Sequence, residues 1–192
     1  ESYQSERQPH VEEVINLAIQ HGEIIQTRNP LKATVRDLFL LLGRLFPPLI
    51  ASIKFGQQWR LGKGIFSKDS LPLNRFMLRQ CIITREHGEP ALLDDLLSDS
   101  FNLVGFDTDV DSLVSKHNID FLGAPLKTFN IGVHGQGIDE TGTLQCWADD
   151  NQIAIALLRP DKQIYGLCYQ NNAQSLSEQL ADLLGQLKTQ LI

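Results

Sequence analysis

The sequence predicts an α/β fold, a mixed sheet with flanking helices, preceded by an N-terminal helical pair. Three stretches carry that expectation. Ile153 to Tyr169, IAIALLRPDKQIYGLCY, reads as a hairpin in which two apolar runs flank a polar turn at Arg159, Pro160, Asp161 and Lys162. Pro160 fixes its φ and has no N–H to give to a ladder, so the first strand must stop there. Phe101 to Ile131 holds a strand, a helix and a second strand. Ser175 to Leu191 is a helix striped by Leu176, Leu180, Leu183, Leu184 and Leu187, opened by Ser175 with Glu178 three residues on, a capping box.

Taken in order, Ser2 to Gln20 is helical in pattern, with Val11, Val14, Ile15, Ala18 and Ile19 on one face and Glu12, Glu13, Asn16 and Gln20 largely opposite. Gly22 is expected to end this helix as its left-handed cap. A second helix, Leu31 to Leu45, is apolar over much of its circumference, and Phe46 continues the run. Such a helix needs cover on more than one side, and little of the following chain offers it. Pro47 and Pro48 open an irregular connector that holds Gly56, Trp59, Arg60, Gly62, Lys63 and Gly64. The expected divisions are a helical segment over 1–48, a connector over 49–73 and an α/β domain over 74–192.

Within that domain, Phe76 to Thr84 reads as a strand and Ala91 to Leu97 as a short helix. Phe101 to Phe106 follows as a central strand, then a helix opened by Asp109 or Asp111 and running to His117, then a strand around Lys127 to Ile131. In the second strand of the hairpin, Ile164, Gly166 and Cys168 alternate against Tyr165, Leu167 and Tyr169. Strand, helix, strand, hairpin and helix is the order of a thioredoxin-like domain with both faces of a mixed sheet covered.

Composition narrows the function classes. With 17 basic and 23 acidic residues the 192-residue chain carries a net charge of −6, and its basic residues are scattered. A nucleic-acid surface needs them clustered, so no nucleic-acid partner is expected. The most apolar window, Leu38 to Ile53, is broken by Arg44, Pro47 and Pro48, and no membrane span or signal segment is read. Cys81, Cys146 and Cys168 are odd in number and far apart, which suits free thiols in a reducing cytoplasm.

No constellation in the sequence points to catalysis. A dithiol enzyme of this fold needs C-x-x-C after its first central strand, and that place holds Asp107-Thr108-Asp109-Val110-Asp111. The D-x-D-x-D spacing invites calcium, but the sixth and twelfth positions of an EF-hand loop fall on Ser112 and Asn118. The expectation is a solvated, helix-capping acidic loop. Gly132 to Gly137 lacks the third glycine of a dinucleotide fingerprint and reads as a turn between strands. His10, His21, His87, His117 and His134 show no metal spacing.

Tyr3, Glu6, Arg7, Pro9 and His10 form Y-x-x-E-R-x-P-H at the first helix. Arg36-Asp37, Pro47 and Pro48, the segment ALLDDLLSDSFNLVGF, and Arg159-Pro160-Asp161 with an aromatic close behind follow in order. In these residues the chain resembles the C-terminal part of class A flavoprotein monooxygenases, the FAD-dependent aromatic hydroxylases, especially those like hydroxyphenylpropionate hydroxylase. The resemblance implies a longer parent that uses FAD and NAD(P)H to insert one oxygen atom of O₂ into a phenolic ring. The flavin fingerprint and the flavin-contacting G-D segment of that family are not in this sequence. The expectation is therefore a portion with no catalytic, cofactor-binding or metal residues of its own. Its partners would be the N-terminal FAD and substrate domains in cis and a second copy in a homodimer. Tyr3, Glu6, Arg7, His10, Arg159, Pro160 and Asp161 are then family-signature residues with structural roles. RFMLRQCIIT lacks the family's G-x-x-x-P-x pattern, which leaves the substrate open. The alternative is a free-standing, redox-inactive thioredoxin-fold module that binds a partner protein.

Overall fold

The computed structural model describes residues 2–45, 61–70, 73–85, 88–117, 126–132 and 135–191. The chain divides into a first unit, Glu1–Gly64, and a second, Ile65–Ile192. Much of the connector expected over 49–73 falls outside the described residues, as do Phe46, Pro47, Pro48, His87 and His134.

In the first unit, helix α1 spans Ser2–Ile25 and α2 spans Pro30–Leu45. Gly22 does not end α1, contrary to the sequence reading. The helix runs through it, and the Gln26 amide still bonds the Gly22 carbonyl at 2.8 Å. An interior glycine costs a helix only about 1 kcal/mol against alanine, too little to stop it. The stop comes from the next helix: the Asn29 side chain accepts from the amides of Leu31 (2.9 Å) and Lys32 (3.4 Å), with Pro30 at the first helical position. Arg36 of α2 then donates back to the carbonyls of Ile24 (3.2 Å) and Ile25 (3.3 Å) and pairs with Asp37, so Arg36-Asp37 ties the two helices together. At the other end of α1, the Glu6 carbonyl accepts from Gly62 N at 2.8 Å, and a Cβ on Gly64 would overlap the buried Glu6 side chain.

In the second unit, β3 (Asn102–Phe106), β4 (Lys127–Ile131), β6 (Ile153–Leu158) and β7 (Ile164–Tyr169) form one sheet in the order β4-β3-β6-β7. β3 and β4 are parallel, and β6 is antiparallel to both of its neighbours. This is the expected thioredoxin-like arrangement. Helices α4 (Val110–His117) and α6 (Leu176–Leu191) cover one face, where Val110, Leu180, Leu183, Leu184 and Leu187 meet Leu103, Ile155 and Leu157. The other face meets α5 (Thr143–Asp150) through Leu144 and Ala148. It also meets the single turn α3 (Leu93–Leu96) and, through Ile83, a three-stranded sheet. That small sheet runs β2 (Ala91–Leu92), β1 (Ile82–Thr84), β5 (Ile138–Asp139).

Several elements differ from expectation. The strand read over Phe76 to Thr84 begins only at Ile82. Ahead of it, Arg75 takes φ 70° and Met77 makes an isolated bridge to Gln163. Ala91 and Leu92 are strand rather than helix, and α5 was not foreseen. Alternation in the hairpin is also broken. Register slips at Ile153/Ile155 and at Leu157/Leu158 each insert one residue, and one residue reverses the phase of every side chain beyond it. Ile164 and Leu167 consequently share one face, Tyr165 and Cys168 the other. Gly166 joins the latter, where a Cβ would meet Leu183 at 2.3 Å.

The hairpin turn sits where Pro160 places it. Lys162 N bonds the Arg159 carbonyl at 2.9 Å, and Lys162 itself takes φ 61°, its ammonium held by the Ser98 carbonyl at 2.6 Å. The Arg159 guanidinium lies 4.8 Å from the centroid of the buried Phe66 ring and donates to the Ile65 carbonyl (3.3 Å) and to Asp161 (3.1 Å). Arg-Pro-Asp is thus a clasp that fastens the turn to Ile65 and Phe66. Its planar cation does what an ammonium cannot: it stacks and forks at once. Arg159→Lys is expected to lower stability by about 1–2 kcal/mol, read as a lower urea midpoint at unchanged m. Asp161→Asn, in a partly exposed pair, should cost less than about 1 kcal/mol. Equal midpoints for Arg159→Lys and the parent sequence would refute the clasp.

Candidate functional site

A cleft of about 470 Å³ opens where β3 and β4 end, lined by Asp107, Thr108, Asp109, Asp111, Asn130 and Gln136 among others. This is the place a thioredoxin-type dithiol would occupy. Gly105 lets the chain turn there: a Cβ on it would lie 2.4 Å from the Thr108 carbonyl and 2.6 Å from Val110. The three aspartates are already engaged. Asp109 caps α4, accepting from Ser112 N at 3.1 Å. Asp111 accepts from Asn130 Nδ2 (3.0 Å), Gln136 Nε2 (3.3 Å) and the Thr128 hydroxyl. Asp107, at φ 44°, accepts from Gln145 Nε2 at 3.0 Å. Asn130 joins the two sides, its Oδ1 accepting from Val110 N at 3.1 Å. The helix-capping part of the expectation falls to Asp109, whereas Asp107 and Asp111 are bonded across to other elements. Among the described residues no group of three His, Cys, Asp or Glu could hold a metal ion.

A fourth carboxylate, unremarked in the sequence reading, governs the neighbouring element. Asp139 is 8% exposed and accepts from Thr141 N (3.1 Å), Thr141 Oγ1 (2.8 Å), Leu144 N (2.7 Å) and Gln145 N (3.3 Å). It therefore caps α5 from four residues before the helix, across Gly142 in the left-handed region at φ 63°. Burial pushes its carboxyl up, but the hydrogen bonds together hold it below the ordinary value. The sequence signal was Leu144, Trp147 and Ala148 at helical spacing behind a turn-forming Asp-Glu-Thr-Gly.

The remaining candidates are dispersed. Cys81 and Cys168 are buried, and burial raises both thiols to about 12, while Cys146 is exposed on α5. Neither buried sulfur has the lowered pKa of a nucleophile. Glu6, Arg7 and His10 lie on the first turns of α1, Glu6 buried and the other two half-buried. The Tyr3 side chain lies outside what is described. Arg159, Pro160 and Asp161 stand at the hairpin turn in the second unit. Among the described residues no helix is long and apolar enough to cross a membrane.

Residues 76–183, more than half of the chain, match the family model described as the HcaD C-terminal domain. The chain is 25% identical over 206 residues to the 3-(3-hydroxy-phenyl)propionate/3-hydroxycinnamic acid hydroxylase of Mycolicibacterium vanbaalenii, covering 96% of this chain and 36% of that protein. Its counterpart from Klebsiella pneumoniae strain 342 is 24% identical over 204 residues, covering 95% and 36%. The chain thus spans little more than a third of the curated relatives it matches. Among solved structures it superposes on aklavinone-11 hydroxylase, crystallised with FAD and aklavinone, at a TM-score of 0.60 and 16% identity, covering 98% of this chain and 35% of that one. The flavin-dependent monooxygenase PieE, in complex with FAD and substrate, gives 0.60 and 16%, covering 96% and 39%. Both are likenesses of fold.

The Asp139 cap makes its own prediction. Because the folded carboxyl titrates below the unfolded one, its stabilisation is complete above the unfolded carboxylate range and is lost as pH falls through the folded value. Asp139→Asn should cost about 1–2 kcal/mol at pH 7, a difference that shrinks as pH drops below about 4. Thermal melts of both proteins between neutral and acidic pH check this, and a gap that stays constant into strong acid would refute it.

Proposed function

The chain belongs to the HcaD C-terminal domain family, and from that premise we propose that it is the C-terminal portion of an FAD- and NAD(P)H-dependent monooxygenase that hydroxylates a phenolic ring. The observation that carries the reading is the match along 96% of this chain to proteins named as hydroxylases, of which it spans 36%. In this reading the portion is not catalytic: it completes the fold and supplies contacts to the catalytic body and to a second copy in a cytoplasmic homodimer.

The cleft at the ends of β3 and β4 does not fit a flavin: it is edged by three aspartates, and carboxylates repel the pyrophosphate that FAD and NAD(P)H both carry. A phosphate site wants amide donors at a helix N-terminus, and in α4 Asp109 already takes the Ser112 amide and Asn130 the Val110 amide. The cofactors therefore belong to the rest of the parent. The first unit offers it a contact surface: thirteen large apolar side chains of α1 and α2 are between 39% and 77% exposed. Patches of that extent mark interaction sites.

Blotting the source cells with an antibody to this chain should reveal a product well above 21.6 kDa. Purified, that product should carry FAD and oxidise NAD(P)H in the presence of a phenolic acid. The 192-residue chain alone should carry no flavin and should sediment above the monomer mass, its helices covering one another. A native product of 21.6 kDa, or stoichiometric FAD on the isolated chain, would overturn the reading. The first result would favour the free-standing module.

A further inference from the structure

The three-stranded sheet of the second unit has an outer face that its core does not use. Ile83 points inward, fully buried, and the register pairs Ile82 with Leu92 and Thr84 with Ile138. Alternation puts those four side chains on the opposite face. Ile82 is 42% exposed, Leu92 45% and Ile138 53%. The water-facing side of an antiparallel sheet is ordinarily polar. Here Thr84, bonded to Glu140, is the polar exception among those four.

We propose that this face docks, in cis, against the catalytic body of the parent polypeptide. The inference rests on the hydroxylase reading above and adds a surface to it. Size selects the occupant. Three half-exposed aliphatic side chains offer on the order of 300 Å². A partner that arrives from solution needs ~800 Å² from each side, so neither a second copy nor a free protein would be held by it. A body joined through the same chain needs far less, because tethering supplies a millimolar effective concentration. Such a body is what the relatives contain, since this chain accounts for 36% of their length. Glu140, exposed and bonded to Thr84, stands at the edge of the patch.

The test uses the native-length product carrying Cys146→Ser and Ile138→Cys, with Leu92→Cys as an independent second reporter. Cys81 and Cys168 are buried with thiols raised to about 12 and stay silent in the folded protein, and alkylation is read on the peptide that carries the new thiol, which keeps other cysteines out of both timings. Iodoacetamide alkylation of the new thiol is timed in the folded protein and again in denaturant. Docking predicts a rate at least about tenfold slower in the folded protein, unchanged on dilution. A smaller protection at both positions means an open face and overturns the inference. Protection that fades on dilution means a second copy and also overturns it. A large, FAD-bearing product with reactive thiols would sink only this surface. A native product of 21.6 kDa would remove the hydroxylase reading and the surface with it.

Discussion

The second unit depends on one strand being sealed on every side. All six residues of β6 are buried, and the strand lies between β3 and β7. A strand in that position must send every amide and carbonyl to a neighbour and can carry no polar side chain, because an unpaired buried polar group costs on the order of 1–3 kcal/mol. Ile-Ala-Ile-Ala-Leu-Leu meets the second demand. The first forces β3 and β7 into place, and the two faces then each require a layer. α4 and α6 fill one; α5 and the small sheet fill the other. Small residues stand at two tight places: Ala154 is the extra residue at the slip in β6, and Gly166 lies beneath Leu183, where a Cβ would be 2.3 Å away.

That dependence explains what could be read in the sequence. The hairpin, the central strand and α6 are long, apolar and bounded by strong punctuation, Pro160 at one end and the Ser175–Glu178 capping box at the other. In the structure Glu178 accepts from Ser175 N at 2.8 Å. The small sheet was illegible because strands of two or three residues have no period to detect, and their pairing is set by the core beneath them. α5 was missed because its cap is remote. Asp139 reaches Leu144 N across a left-handed Gly142, whereas a sequence scan looks for the cap immediately before the helix. Gly22 misled in the opposite sense. Glycine signals a helix end only if the chain beyond cannot continue, and here Glu23, Ile24 and Ile25 could.

At the cleft the sequence was informative about chemistry and silent about geometry. Three aspartates in place of a dithiol already excluded thiol exchange at that position. What could not be read is that Asn130 and Gln136, on and just beyond β4, bring donors to Asp111, or that Gln145 of α5 does so for Asp107. Those bonds cross elements far apart in sequence. They turn a loop that resembles a ligand site by composition into a fastening between β3, β4, α4 and α5. A fold shared with redox enzymes thus keeps their topology here, while the loop at the dithiol position ties four elements together.

The first unit poses the reverse situation. Leu38, Phe39, Leu40, Leu41 and Leu42 are consecutive and each between 39% and 55% exposed. At 3.6 residues per turn, five consecutive positions pass around the whole helix, so apolar side chains point in every direction from its axis. The contact with α1 through Arg36 occupies one of those directions. A flat partner, or another helix laid alongside, would cover one more and leave the rest in water. Such a helix is satisfied by embedding, in a groove that closes on it from at least two sides. The second unit seals its own core around β6, while α2 keeps an apolar surface turned outward, and on the proposed reading that asymmetry belongs to a chain whose second unit folds about itself and whose first unit folds into something larger.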